Sequence, residues 1–159
     1  MKNRNSIPIF VSLVLLAFCA PKQPIPESLS VGKEGSPDKS LVVTGDAVLF
    51  LTLTQSELDS SGPKKYDQAS ETLWDFYANA KRVTDIIEKH GLNYQYSDAK
   101  NLEFQSSKGR ITKISFDTSK HIVAVVLYKT GKEPKICYGL IGVNETLREI
   151  SDYFGVDFK

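Results

Sequence analysis

The stretch IVAVVLYKTGKEPKICYGLIGVNETLREISDYF, Ile122 to Phe154, changes pattern three times. Ile122–Tyr128 is an unbroken run of strand formers, the composition of a strand covered on both faces. Lys129, Thr130, Gly131 and Lys132 form a turn, and Lys135–Ile141 returns as the hairpin partner. The period then becomes helical. Leu147, Ile150, Tyr153 and Phe154 share a face, Asn144 is placed to cap the start, and Gly155 to end it. Strand, turn, strand, helix is therefore expected.

Further upstream, Ala47–Thr54 (AVLFLTLT) is a second continuous apolar run, again expected to be a strand covered on both faces. A polar loop is expected from Gln55 to Tyr66, around Ser60, Ser61, Gly62 and Pro63. Next comes the clearest helix, about 20 residues long on the strength of its period. Leu73, Phe76, Tyr77, Ala80, Val83, Ile86 and Ile87 recur at three- and four-residue spacing, with Asp67 or Ser70 as cap and Gly91 as stop. Leu92–Tyr96, Leu102–Gln105 and Arg110–Phe116 are expected to be short strands.

This order, strand, long helix, short strands, hairpin and helix, resembles the thioredoxin-like α/β (α+β) fold. The most specific part of the resemblance is Val125–Gly131, then Tyr138–Gly142, then Asn144–Ile150, which is similar to that fold's last strand, turn, strand and helix. The resemblance implies a mixed sheet with the long helix after its first strand. It also shows where chemistry is missing. Redox-active members carry Cys-x-x-Cys after the first strand, where the helix N-terminus lowers the thiol pKa. Here Thr54–Ser70 contains no cysteine. Active members also carry a cis-proline just before the hairpin, at a position that falls near Val123; no proline stands between Pro63 and Pro134.

Cys137 lies between Ile136 and Tyr138, inside a strand and away from any helix N-terminus. Free cysteine behaves as a small hydrophobe, so a core position is expected, with a reactive thiol or an intermolecular disulfide as alternatives. His90 and His121 stand on different elements without a ligand spacing; a site with Cys137 is the weaker reading, and His90 is expected to be a helix C-terminal cation. Trp74, Tyr77 and Tyr153 are expected to pack into the core rather than form a sugar- or peptide-binding face. No cofactor or metal is implied.

The N-terminus is organised differently. Met1–Ser6 carries Lys2 and Arg4, and Ile7–Phe18 is apolar apart from Pro8 and Ser12. Twelve residues are too few to span a bilayer, which takes about 20, but suit a signal peptide over 1–18. Leu16, Ala17, Phe18 and Cys19 resemble the lipobox of bacterial lipoproteins, with Phe18 where Gly, Ala or Ser is usual. The resemblance implies a diacylglycerol thioether on Cys19, cleavage before it and acylation of the new amine. The alternatives are secretion with Cys19 free, or an uncleaved leader. Two or three acyl chains anchor stably, each buried CH₂ contributing about 0.8 kcal/mol.

Residues 19–40 follow as lipidated N-terminus and tether. Four prolines (Pro21, Pro24, Pro26, Pro37) with only Ile25, Leu29 and Val31 large and apolar cannot offset an ordering entropy. A flexible chain of that length reaches roughly 25 Å. Residues 41–159 are then one globular domain. The 159-residue chain carries 20 basic and 19 acidic side chains; without Lys2 and Arg4 the remainder is at −1. Nucleic-acid binding needs a basic surface, so that class of partner is excluded. The expected protein is a membrane-anchored, extracytoplasmic lipoprotein, in the outer membrane if the cell has two. Its domain is expected to bind or scaffold an envelope partner. The alternative is a thiol or peroxide oxidoreductase using Cys137.

Overall fold

The computed structural model describes residues 40–106 and 108–158. The leader, Cys19 and the tether expected before Ser40 lie outside the described residues. The elements run β1 (Ser40–Val43), β2 (Ala47–Thr52), α1 (Gln55–Ser60), α2 (Pro63–Ile87), β3 (Tyr94–Ser97), β4 (Asn101–Gln105), β5 (Ile111–Ser115), β6 (Val123–Tyr128), β7 (Lys135–Tyr138) and α3 (Val143–Phe154).

Two mixed sheets form. The larger has the order β3-β2-β6-β7, the smaller β1-β4-β5. In the larger, β2 and β3 are parallel, while β6 runs antiparallel to β2 and to β7. A strand, a helical crossover to a parallel neighbour, then an antiparallel hairpin and a closing helix is the thioredoxin-like arrangement. The fold is thus α/β of the expected kind.

Alternation along the central strands divides the core in two. Val48, Phe50, Val123, Val125 and Leu127 meet Leu73, Phe76, Ala80, Val83 and Ile87 of α2 and Ile150 and Phe154 of α3. Leu49, Leu51, Ala124, Val126 and Tyr128 meet Val43, Leu102, Phe104 and Phe116 around the smaller sheet. Every residue of β6 is buried, which is why both central strands read as unbroken apolar runs. The second face is therefore covered by strands. Each Leu or Phe so buried contributes about 1.5–3 kcal/mol over its exposed state.

The chain departs from the sequence reading between Gln55 and Tyr66. That stretch is helical, not a polar loop. Thr54 caps α1 in a reciprocal capping box with Glu57. Only Leu58 of α1 is buried, so its period carries no signal. Neither Asp67 nor Ser70 caps α2, because the helix starts earlier. Gly62 at φ +81° turns the chain and Pro63 opens the helix, where a missing N–H costs no helical bond. Gly91, at φ +72°, stops the single 3₁₀ turn Glu88–His90 that follows α2. At α3 the cap is Gly142, not Asn144. The Glu145 carboxylate folds back over the space a Cβ would need at 142. β7 ends at Tyr138 rather than Ile141, where Gly139 takes φ +65°.

Candidate functional site

The end of the larger sheet where β2 finishes and β6 begins gathers residues from three connections and the end of β7. Leu53 N–H donates to Ile122 C=O (3.2 Å) and Gly139 N–H to Val123 C=O (3.0 Å), tying the β2, β6 and β7 ends together. Thr54 and Glu57 come from the β2–α1 junction, Lys100 from the β3–β4 connection, Thr118 and His121 from the β5–β6 connection, and Tyr138 from the end of β7.

Glu57 is the hub. Its Oε2 accepts from Thr54 N–H (2.8 Å), Thr54 Oγ1 (2.9 Å) and Lys100 Nζ (2.5 Å); its Oε1 accepts from Thr118 Oγ1 (2.6 Å). Burial by itself would raise the carboxyl. The hydrogen bonds from Lys100, Thr118 and Thr54 outweigh it and hold the pKa at about 2. Glu57 is thus a charged acceptor with its lone pairs engaged, and it keeps Lys100 beside it.

Next to this cluster lies an aromatic shelf. The Lys100 ammonium sits 5.7 Å from the Phe116 ring centroid. Phe116 is nearly parallel to Tyr138 at 6.4 Å, and Tyr138 stacks on His121 at 4.0 Å and 22°. Phe116 is buried, whereas Tyr138 is 41% exposed, so the stack runs from the core to solvent. The loop beneath it is shaped by Asp117, whose carboxylate accepts from Ser119 Oγ (2.6 Å) and N–H (3.1 Å) and pairs with Lys120 (3.1 Å). Those contacts, Ser119 first, lower the Asp117 carboxyl. A ring shelf rimmed by an ion pair and hydroxyls is suited to holding a ligand by stacking and hydrogen bonds.

The residues weighed in the sequence are not brought together. His121 is on the shelf. His90 is at the opposite end of the sheet, its Nδ1 against Ile86 C=O (3.0 Å) and its ring edge-on to Phe158. Among the described residues no three His, Cys, Asp or Glu side chains gather to hold a metal. Cys137 is in a strand as expected, but half-buried rather than in the core, because β7 is an outer strand. It pairs with Val125 and so faces the helix layer, away from the shelf. Burial raises its thiol pKa, Glu149 adds to that, and Lys135 opposes it. Trp74, Tyr77 and Tyr153 are half-buried, and Tyr77 and Tyr153 pack against the helix-side core. The Tyr77 hydroxyl meets Thr52 Oγ1 (3.1 Å), while Tyr153 donates to Glu133 C=O (2.8 Å).

Glu57, Lys100, Thr118 and Tyr138 were missed in the sequence. One signal was readable, the Thr54-x-x-Glu57 capping box. Set against known families, curated proteins and solved structures, the chain matches none.

Proposed function

We propose that the chain is a lipid-anchored extracytoplasmic protein whose domain binds a partner in the cell envelope and performs no chemistry on it. Cys19 carries the anchor in this reading. The observation that carries it is the occupancy of the β2–α1 junction. Where a redox thioredoxin-like protein holds its dithiol, this chain holds Glu57, ionised and engaged by Thr54, Lys100 and Thr118. The neighbouring Tyr138 and His121 rings offer a stacking surface. The one described thiol, Cys137, is off that surface with a raised pKa, the opposite of a nucleophile's environment.

Two measurements test the reading. Cys19→Ser abolishes incorporation of labelled palmitate and blocks cleavage; continued labelling refutes the anchor. Peroxide consumption and disulfide reduction show no difference between parent and Cys137→Ala. Turnover lost in that variant establishes the thiol oxidoreductase instead.

A further inference from the structure

The strand at the far edge of the larger sheet has a self-complementary pattern. β3 is an outer strand, hydrogen-bonded among the described residues to β2 alone. Val48 pairs with Tyr94, and Val48 N–H donates to Asn93 C=O (2.9 Å). In a parallel ladder alternate residues bond the neighbour, so Asn93, Gln95 and Ser97 turn their main-chain groups toward β2. Tyr94 and Tyr96 turn theirs outward.

Among the described residues this edge is packed on its inner face and uncovered along its outer side. Tyr96 stacks on buried Phe50 at 5.1 Å, lies 6.2 Å from Tyr77, and its hydroxyl is held by Thr84. Tyr94 meets Tyr96 edge-on at 6.1 Å and is 38% exposed. Natural edge strands carry lysines, prolines or bulges that repel a partner. Of the outer strands, β5 and β7 contain Lys113 and Lys135, whereas β1 (Ser-Leu-Val-Val) and β3 (Tyr-Gln-Tyr-Ser) contain no charge and no proline, and of these two only β3 carries aromatic side chains at alternate positions.

We propose that β3 pairs antiparallel with β3 of a second copy of this chain, about a two-fold axis through Gln95. Tyr-Gln-Tyr is the same read in either direction. The axis therefore sets Tyr94 opposite Tyr96 of the partner copy, and the outward N–H and C=O groups of both exchange four hydrogen bonds. The tyrosines of the two copies fall on one face, as aromatic cross-strand pairs. The same axis runs the two α2 helices antiparallel on that face. Lys81 and Asp85, paired at 3.4 Å and both well exposed on α2, then meet their opposites rather than like charges. The contact is isologous and closed, so it stops at two.

The test uses the full chain in detergent. Parent protein sediments as a dimer at high concentration and dissociates on dilution. Gln95→Lys sets two ammonium groups face to face on the axis and weakens the dimer by about fivefold or more. Gln95 is exposed, so the monomer's fold is untouched. In a Cys137→Ser background, Gln95→Cys brings two thiols together in a non-hydrogen-bonded pair with Cα atoms about 4.5 Å apart, inside disulfide range. It forms a covalent dimer on mild oxidation, whereas Asp59→Cys on α1 does not. A monomer at every concentration, whether because the edge is covered by the chain's own N-terminal residues or by another protein's strand in the cell, overturns the proposal. So does a dimer that Gln95→Lys leaves unchanged and Gln95→Cys does not cross-link.

Discussion

Replacing Glu57 with Gln keeps the size of the side chain and removes its charge. The amide still offers one oxygen, but it meets Lys100 with no counter-charge, and the Lys100 side chain is only 21% exposed. The magnitude follows from linkage. A carboxyl held at about 2 against an ordinary 4.5 corresponds to about 3 kcal/mol at most. The Glu57 side chain is 32% exposed, so solvent screening reduces this to about 1–2 kcal/mol. The folded pKa lies below the unfolded one, so this stability is fully present above about 4.5 and is lost as pH falls toward 2. Urea unfolding at pH 7 should therefore show Glu57→Gln less stable than the parent by about 1–2 kcal/mol. At pH 3 the gap should narrow, because the unfolded parent is then protonated while the folded carboxyl is still charged, and at pH 2 it should nearly close. A gap of the same size at pH 7 and pH 2 would show that the variant loses packing and not the charged network, and would refute the reasoning.

Cys137→Ala should cost less than about 1 kcal/mol, because a half-buried thiol on an outer strand leaves a small void. The native thiol should react slowly with maleimide at pH 7 and speed up in denaturant; rapid native labelling would contradict the raised pKa. A chain starting near Ser40 should melt within a few degrees of the longer chain, measured by circular dichroism, and a larger drop would show that the segment before it packs on the domain.

Periodicity alone determined the elements that bury a continuous face. Leu73 to Ile87 could only satisfy its apolar positions as a helix, and Ala47–Leu51 and Val123–Leu127, apolar at every position facing either layer, could only be central strands. The C-terminal hairpin and α3 were legible for the same reason, since hydrophobic spacing is local information. What covers the second face of the sheet was not. β4 and β5 are short, and only their pairing with β1, whose register joins Leu41 to Leu102, makes a second sheet of them. The candidate site was least legible of all. Lys100 and Thr118 reach Glu57 from 43 and 61 residues away, and Tyr138 meets His121 across a hairpin. Single charged and hydroxyl side chains in connections have no period, so nothing in their order along the chain distinguishes them from solvated surface. They acquire a shared role only when the central strands, driven together by burial, end at the same edge.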